Sequence, residues 1–80
     1  MMQIHKDAKP LIVTNEGKDV HVGWRMTTHD FTFDAVDEKS DDSVNVYIEW
    51  GDDQPGDMMS FGTWFEVRSY LDSLMQASQR

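Results

Sequence analysis

None of the 80 residues is a cysteine, which excludes both a disulfide framework and a thiolate metal site. A secreted domain of this size usually needs such staples, so the expected compartment is the cytoplasm. No apolar run approaches the ~18 residues of a membrane span. The N-terminus, Met1-Met2-Gln3-Ile4-His5-Lys6-Asp7, lacks the basic-then-apolar order of a signal peptide, so neither export nor a membrane anchor is expected. Basic residues are scarce as well. Seven Lys and Arg scattered along the chain make no nucleic-acid footprint, and direct binding to DNA, RNA or an anionic membrane is not expected.

Motifs that carry chemistry are also missing. The serines at 40, 43, 60, 69, 73 and 78 lie in no nucleophile motif, and no glycine-rich phosphate loop occurs. His5, His21 and His29 share no ligand spacing, whereas a metal site needs three or four convergent ligands. The loop bearing Asp52, Asp53 and Asp57 does not have the spaced ligands and terminal Glu of a calcium loop. The sequence therefore predicts no enzyme, no metal and no cofactor.

What the chain does have is acid, and it is confined. Residues 30–57 hold ten of the fifteen Asp and Glu against one basic residue, Lys39, a net −9. Residues 1–29 sum to +1 and residues 58–80 to zero, so one third of the chain carries the whole formal charge of −8. Apolar residues make up 39% of the chain, enough for a small core, and a single domain over residues 1–80 is expected. Phe31, Phe33, Val44, Val46, Ile48 and Trp50 run through the acidic stretch at strand spacing, so its charge belongs to a folded surface.

A short β-branched run predicts a strand over 11–14, and alternation of apolar and polar residues predicts strands over 19–26, 31–36 and 44–50. Gly17 supplies a positive φ between the first two, either in a two-residue turn or in a bulge after a type I turn. Residues 1–9 read as a frayed or edge-adding lead before Pro10. Met58–Phe61 reads as a short fifth strand or an extended lead-in. Thr63-Trp64-Phe65-Glu66 fits a capping box, and the helix after it should place Trp64, Val67, Tyr70, Leu71, Leu74 and Met75 on one face.

The predicted fold is α+β: a four-stranded antiparallel meander, with the fifth strand optional, and one C-terminal helix packed on one face. Its predicted core is Val20, Val22, Trp24, Phe31, Phe33, Val46, Ile48, Trp50, Val67, Leu71 and Leu74. His21 should point outward.

An acidic surface on a folded sheet calls for a basic partner. The leading expectation is an interaction protein that binds a basic, nucleic-acid-binding surface of another protein, with carboxylates standing in for phosphates. The expected contact residues are Asp34, Asp37, Glu38, Asp41, Asp42, Glu49, Asp52, Asp53 and Asp57. Phe65, about 150° from the apolar arc of the helix, is expected to be exposed and to anchor the contact. In size, acidity and lack of catalytic motifs the chain resembles the small inhibitors that bacteriophages make against host restriction, CRISPR or repair enzymes, some of which mimic DNA. The alternative is a structural or assembly subunit that completes a complex or homodimerises through a strand edge.

Overall fold

A computed structural model of the chain describes residues 2–38, 43–51 and 53–78. Its elements are β1 (Lys9–Asn15), β2 (Lys18–Thr27), β3 (Phe31–Glu38), β4 (Ser43–Trp50), β5 (Asp57–Phe61) and α1 (Trp64–Ser78). The strands form one antiparallel meander in the order β1-β2-β3-β4-β5, with the helix packed on it. The optional fifth strand is real: Met59 and Phe61 turn to the helix side while Met58 and Ser60 face outward.

Register explains the core. Met26 faces Phe33, Phe33 faces Ile48, and Val46 faces both Ala35 and Met59, so one side of the sheet is apolar from β2 to β5. On α1 the fully buried Val67 and Leu71 stand four residues apart on the face that meets it, flanked by Trp64, Tyr70 and Leu74. The amide of Glu66 donates to Thr63 Oγ1 at 3.2 Å, the N-cap bond the sequence predicts. Phe33 is fully buried at the centre, 6.3 Å from the Tyr70 ring. Phe33→Ala should cost ~3–5 kcal/mol by urea titration; a loss under ~1 kcal/mol would contradict this placement.

The helix lies chiefly over β4 and β5, which leaves the β2 side of the apolar face needing another cover. Ile4, fully buried, and Ala8 join the same core cluster and supply it. The lead is pinned by a turn in which the Ala8 amide donates to the His5 carbonyl at 3.0 Å. Ile4 and Ala8 thus anchor the lead on the core while Met2, Gln3, Lys6 and Asp7 are exposed, and Lys9 already belongs to β1.

The other departure lies in β2. Leu11 pairs with Gly23 but Ile12 pairs with His21, so Val22 is an extra residue, a β-bulge. A bulge reverses the alternation beyond it. Val20, opposite Val13, turns to the outer side, and neither Val20 nor Val22 joins the core. His21 swings to the inner side, where its ring meets Trp24 edge-on with centroids 4.7 Å apart and its Nε2 lies 2.8 Å from the Gly23 carbonyl. The expectation that His21 points outward is therefore corrected. Nearby, the Trp24 indole N–H is buried without a hydrogen-bond partner among the described residues, at a cost of about 1–3 kcal/mol.

Beyond the bulge the β1–β2 hairpin closes through Glu16 and Gly17, with φ of 52° and 78°. Two positive φ values in a two-residue loop make a type I′ turn, which settles the choice left by the sequence.

Candidate interaction surface

On the outer side of the sheet, register sets Lys9, Arg25, Asp34, Tyr47 and Met58 in one row across all five strands. Arg25 donates from Nε to Asp34 Oδ1 at 2.7 Å and from its terminal nitrogen to Oδ2 at 3.1 Å. These hydrogen bonds, and then the charge of Asp34, raise the Arg25 pKa above its ordinary value; Glu49 adds a smaller effect of the same sign. The outer face is therefore a mixed surface in which the Asp34 carboxylate is already committed to a cation. Asp37 and Asp57 fall on the other side of the sheet, opposite Val44 and Ile48 respectively. A continuous strand-borne array of carboxylates does not form among the described residues.

Charge gathers instead at one end of the sheet, where the β2–β3 turn meets the β4–β5 loop. Thr28 builds the turn: its Oγ1 accepts from the amides of Asp30 and Phe31, each at 3.1 Å, and its own amide donates to the Phe31 carbonyl at 2.8 Å. A side-chain oxygen that caps successive amides is what makes Thr and Ser good turn residues. His29 and Asp30 are thereby held exposed at the apex.

The Gly51 amide donates to the Asp30 carbonyl at 3.2 Å and ties the neighbouring loop to the turn. At the base of that loop the Trp50 indole N–H donates to Asp57 Oδ2 at 2.8 Å, with the ring edge-on to Phe31 at 5.4 Å. The result is a shallow concavity of about 310 Å³ lined by His29, Asp30, Trp50, Gly51 and Gln54. A second hollow beside it adds Glu49. Among the described residues, neither is lined by Lys or Arg.

Asp30, Glu49, Asp53 and Asp57 are all exposed around this end. Among the described residues the ion-pair contacts are Arg25–Asp34 and the 4.0 Å approach of His5 to Asp7, so none of these four is in a direct ion pair, although Glu49 is near enough to Arg25 to act on it. Of the expected contact residues, then, Glu49, Asp53 and Asp57 lie at this end, Glu49 on the outer side of the sheet and Asp57 on the inner. Asp41, Asp42 and Asp52 lie outside the described residues, as does the Glu38 side chain.

Phe65 is 66% exposed, as its helix position predicts. It sits apart from the acidic end, however. Strand β5 starts at that end and runs about 16 Å to the other before α1 begins. Sequence reasoning also passed over Asp30, His29 and Trp50 as site residues; the signal was the Thr28–Asp30 turn facing a loop that starts with Gly51.

Unpaired carboxylates repel one another in the compact state. At pH 7 the melting temperature should rise by a few degrees between about 0.02 M and about 0.5 M sodium chloride. A fall with salt would mean that attractive ion pairs dominate instead.

Among the described residues no helix is long and apolar enough to cross a membrane, and no group of three His, Asp or Glu is placed to hold a metal ion. No protein-family model, curated protein or solved structure matches the chain.

Proposed function

We propose that this chain is a small binding protein whose acidic sheet end docks on a basic protein surface of the kind that otherwise holds nucleic acid. The observation that carries the reading is that Asp30 lines the hollow and Glu49 the one beside it, with Asp53 exposed on the following loop and Asp57 at its end and, among the described residues, no Lys or Arg in either lining. Acid placed only for solubility has no need to be collected on a turn and loop fixed by hydrogen bonds. A rigid array of one sign steers an oppositely charged partner and holds it in register. Trp50 and His29 give the hollow ring faces on which an Arg or Lys side chain can stack. This role needs no catalytic group.

Capture on the immobilised chain tests it. The retained protein should be a nucleic-acid binder, be released by duplex DNA as competitor, and elute between about 0.05 M and about 0.5 M salt. Retention indifferent to both salt and DNA would overturn the reading. Phe65→Ala separates the two ends of the molecule. As an exposed change it should alter stability by no more than ~0.5 kcal/mol, and it should leave this complex unaffected. A loss of ~2 kcal/mol or more in affinity would move the contact to the helix start.

A further inference from the structure

The edge strand β1 is paired on one side only. In a hairpin with a two-residue type I′ turn, the residues flanking the turn exchange both hydrogen bonds, and bonded and non-bonded pairs then alternate along the strands. Asn15 and Val13 therefore spend their backbone groups on β2, while Thr14 and Ile12 direct N–H and C=O outward. Pro10 also faces outward, where it has no N–H to offer. Along this edge Ile12 is 51% and Val13 48% exposed, one on each side of the sheet. Proteins usually protect such an edge with charge, a bulge or a covering element; here Lys9 and Pro10 blunt one end and the centre is left open and apolar.

We propose that two copies of the chain join by antiparallel pairing of their β1 edges around a two-fold axis at Val13. In that register Ile12 lies opposite the second copy's Thr14, so every outward N–H of the two residues meets a carbonyl and Pro10 is asked for none. Val13 lies against the second copy's Val13 at a non-bonded position, where side chains come closest. Lys9 comes within one position of the second copy's Glu16.

Charge favours a second copy as the occupant at this edge. Over residues 9–19, Lys9 and Lys18 balance Glu16 and Asp19, so the contact is locally neutral although the chain as a whole carries −8. The acidic end is assembled from β2–β3 and β4–β5 connections and not from this edge. The inference stands independently of the proposed function, and salt separates the two: screening the overall repulsion strengthens the dimer, whereas it weakens capture of a basic partner.

One short strand pair buries less than the ~1,200 Å² of a standard interface, so association should depend on concentration. Sedimentation of the intact chain from about 5 µM to about 500 µM should show the mass rising from 9.3 kDa towards twice that value. Val13→Lys and Val13→Glu, each confirmed folded by its melting curve, should weaken association at least ~10-fold because residue 13 faces itself across the axis. Mixing the two variants should restore it. A wild-type chain that stays at 9.3 kDa over the whole range overturns the proposal, and so does a dimer indifferent to both variants. If each variant is monomeric and their mixture does not associate, the register centred on Val13 is wrong.

Discussion

Gly23→Ala should destabilise the fold by ~3–5 kcal/mol, as much as emptying a central core position. Gly23 is buried in β2 beside the extra residue of the bulge, where it pairs with Leu11 on one side and Val36 on the other. The bulge turns its Cα so that a Cβ would run into the Ala35 carbonyl of the neighbouring strand. Its φ is not in the left-handed region, so the requirement is one of space and not of backbone conformation. The obstacle is also main chain that is held in the β2–β3 and β3–β4 ladders, which cannot swing aside as a flexible side chain could. Relief therefore means opening the β2–β3 ladder or removing the bulge. Removing the bulge would turn Val20 inward and His21 outward, a one-residue slip that exchanges the faces of the hairpin. Urea titration decides the matter. A loss below ~1 kcal/mol would show that β2 can regularise, and the bulge would then no longer explain why His21 and Val20 face as they do.

That glycine also marks how far the sequence could be read. A β-branched run located the first strand and alternation the next three to within a few positions, and the Thr63 cap with Val67 and Leu71 located the helix, because these signals are local. Val20-His21-Val22-Gly23-Trp24 looks like unbroken alternation, and only Gly23 hinted that the period would slip; a glycine inside a strand pattern is the usual mark of a bulge. Ile4 was illegible for another reason. A lone apolar residue in a polar lead has no periodicity, and its burial depends on how much of the sheet a fifteen-residue helix leaves uncovered. The site was legible as composition and not as geometry. The acidic stretch is continuous in sequence, but pleating divides it between two faces, and Arg25, outside the stretch, neutralises Asp34 from the adjacent strand. Asp30, at the very start of the stretch, meets the β4–β5 loop only through the fold, where the Gly51 amide reaches its carbonyl.

Reversing Asp30, Glu49 and Asp53 to Lys together should slow association with the basic partner by ~100-fold or more while the chain stays folded. These three are exposed and their carboxylates make no ion pair among the described residues, so the substitutions remove no contact that holds the fold. Asp57 is left in place because its carboxylate receives the Trp50 indole, and Asp34 because it holds Arg25. The change in net charge is itself large, and a chain brought near neutrality would associate more slowly with any basic surface wherever the new charges stood. The control is therefore a second triple variant, Asp7, Glu16 and Asp72 to Lys, which alters the net charge equally through exposed residues outside the acidic stretch. If position matters, this control keeps most of the affinity and loses only the long-range part of the attraction, which ~0.15 M salt with its Debye length of about 8 Å already suppresses. The acidic-end variant should lose affinity at that salt concentration too, because its lysines stand inside the contact, within a Debye length of the partner's own cations. Equal losses in the two variants would show that total charge and not the turn-and-loop array governs binding, and the proposed docking surface would fall with it.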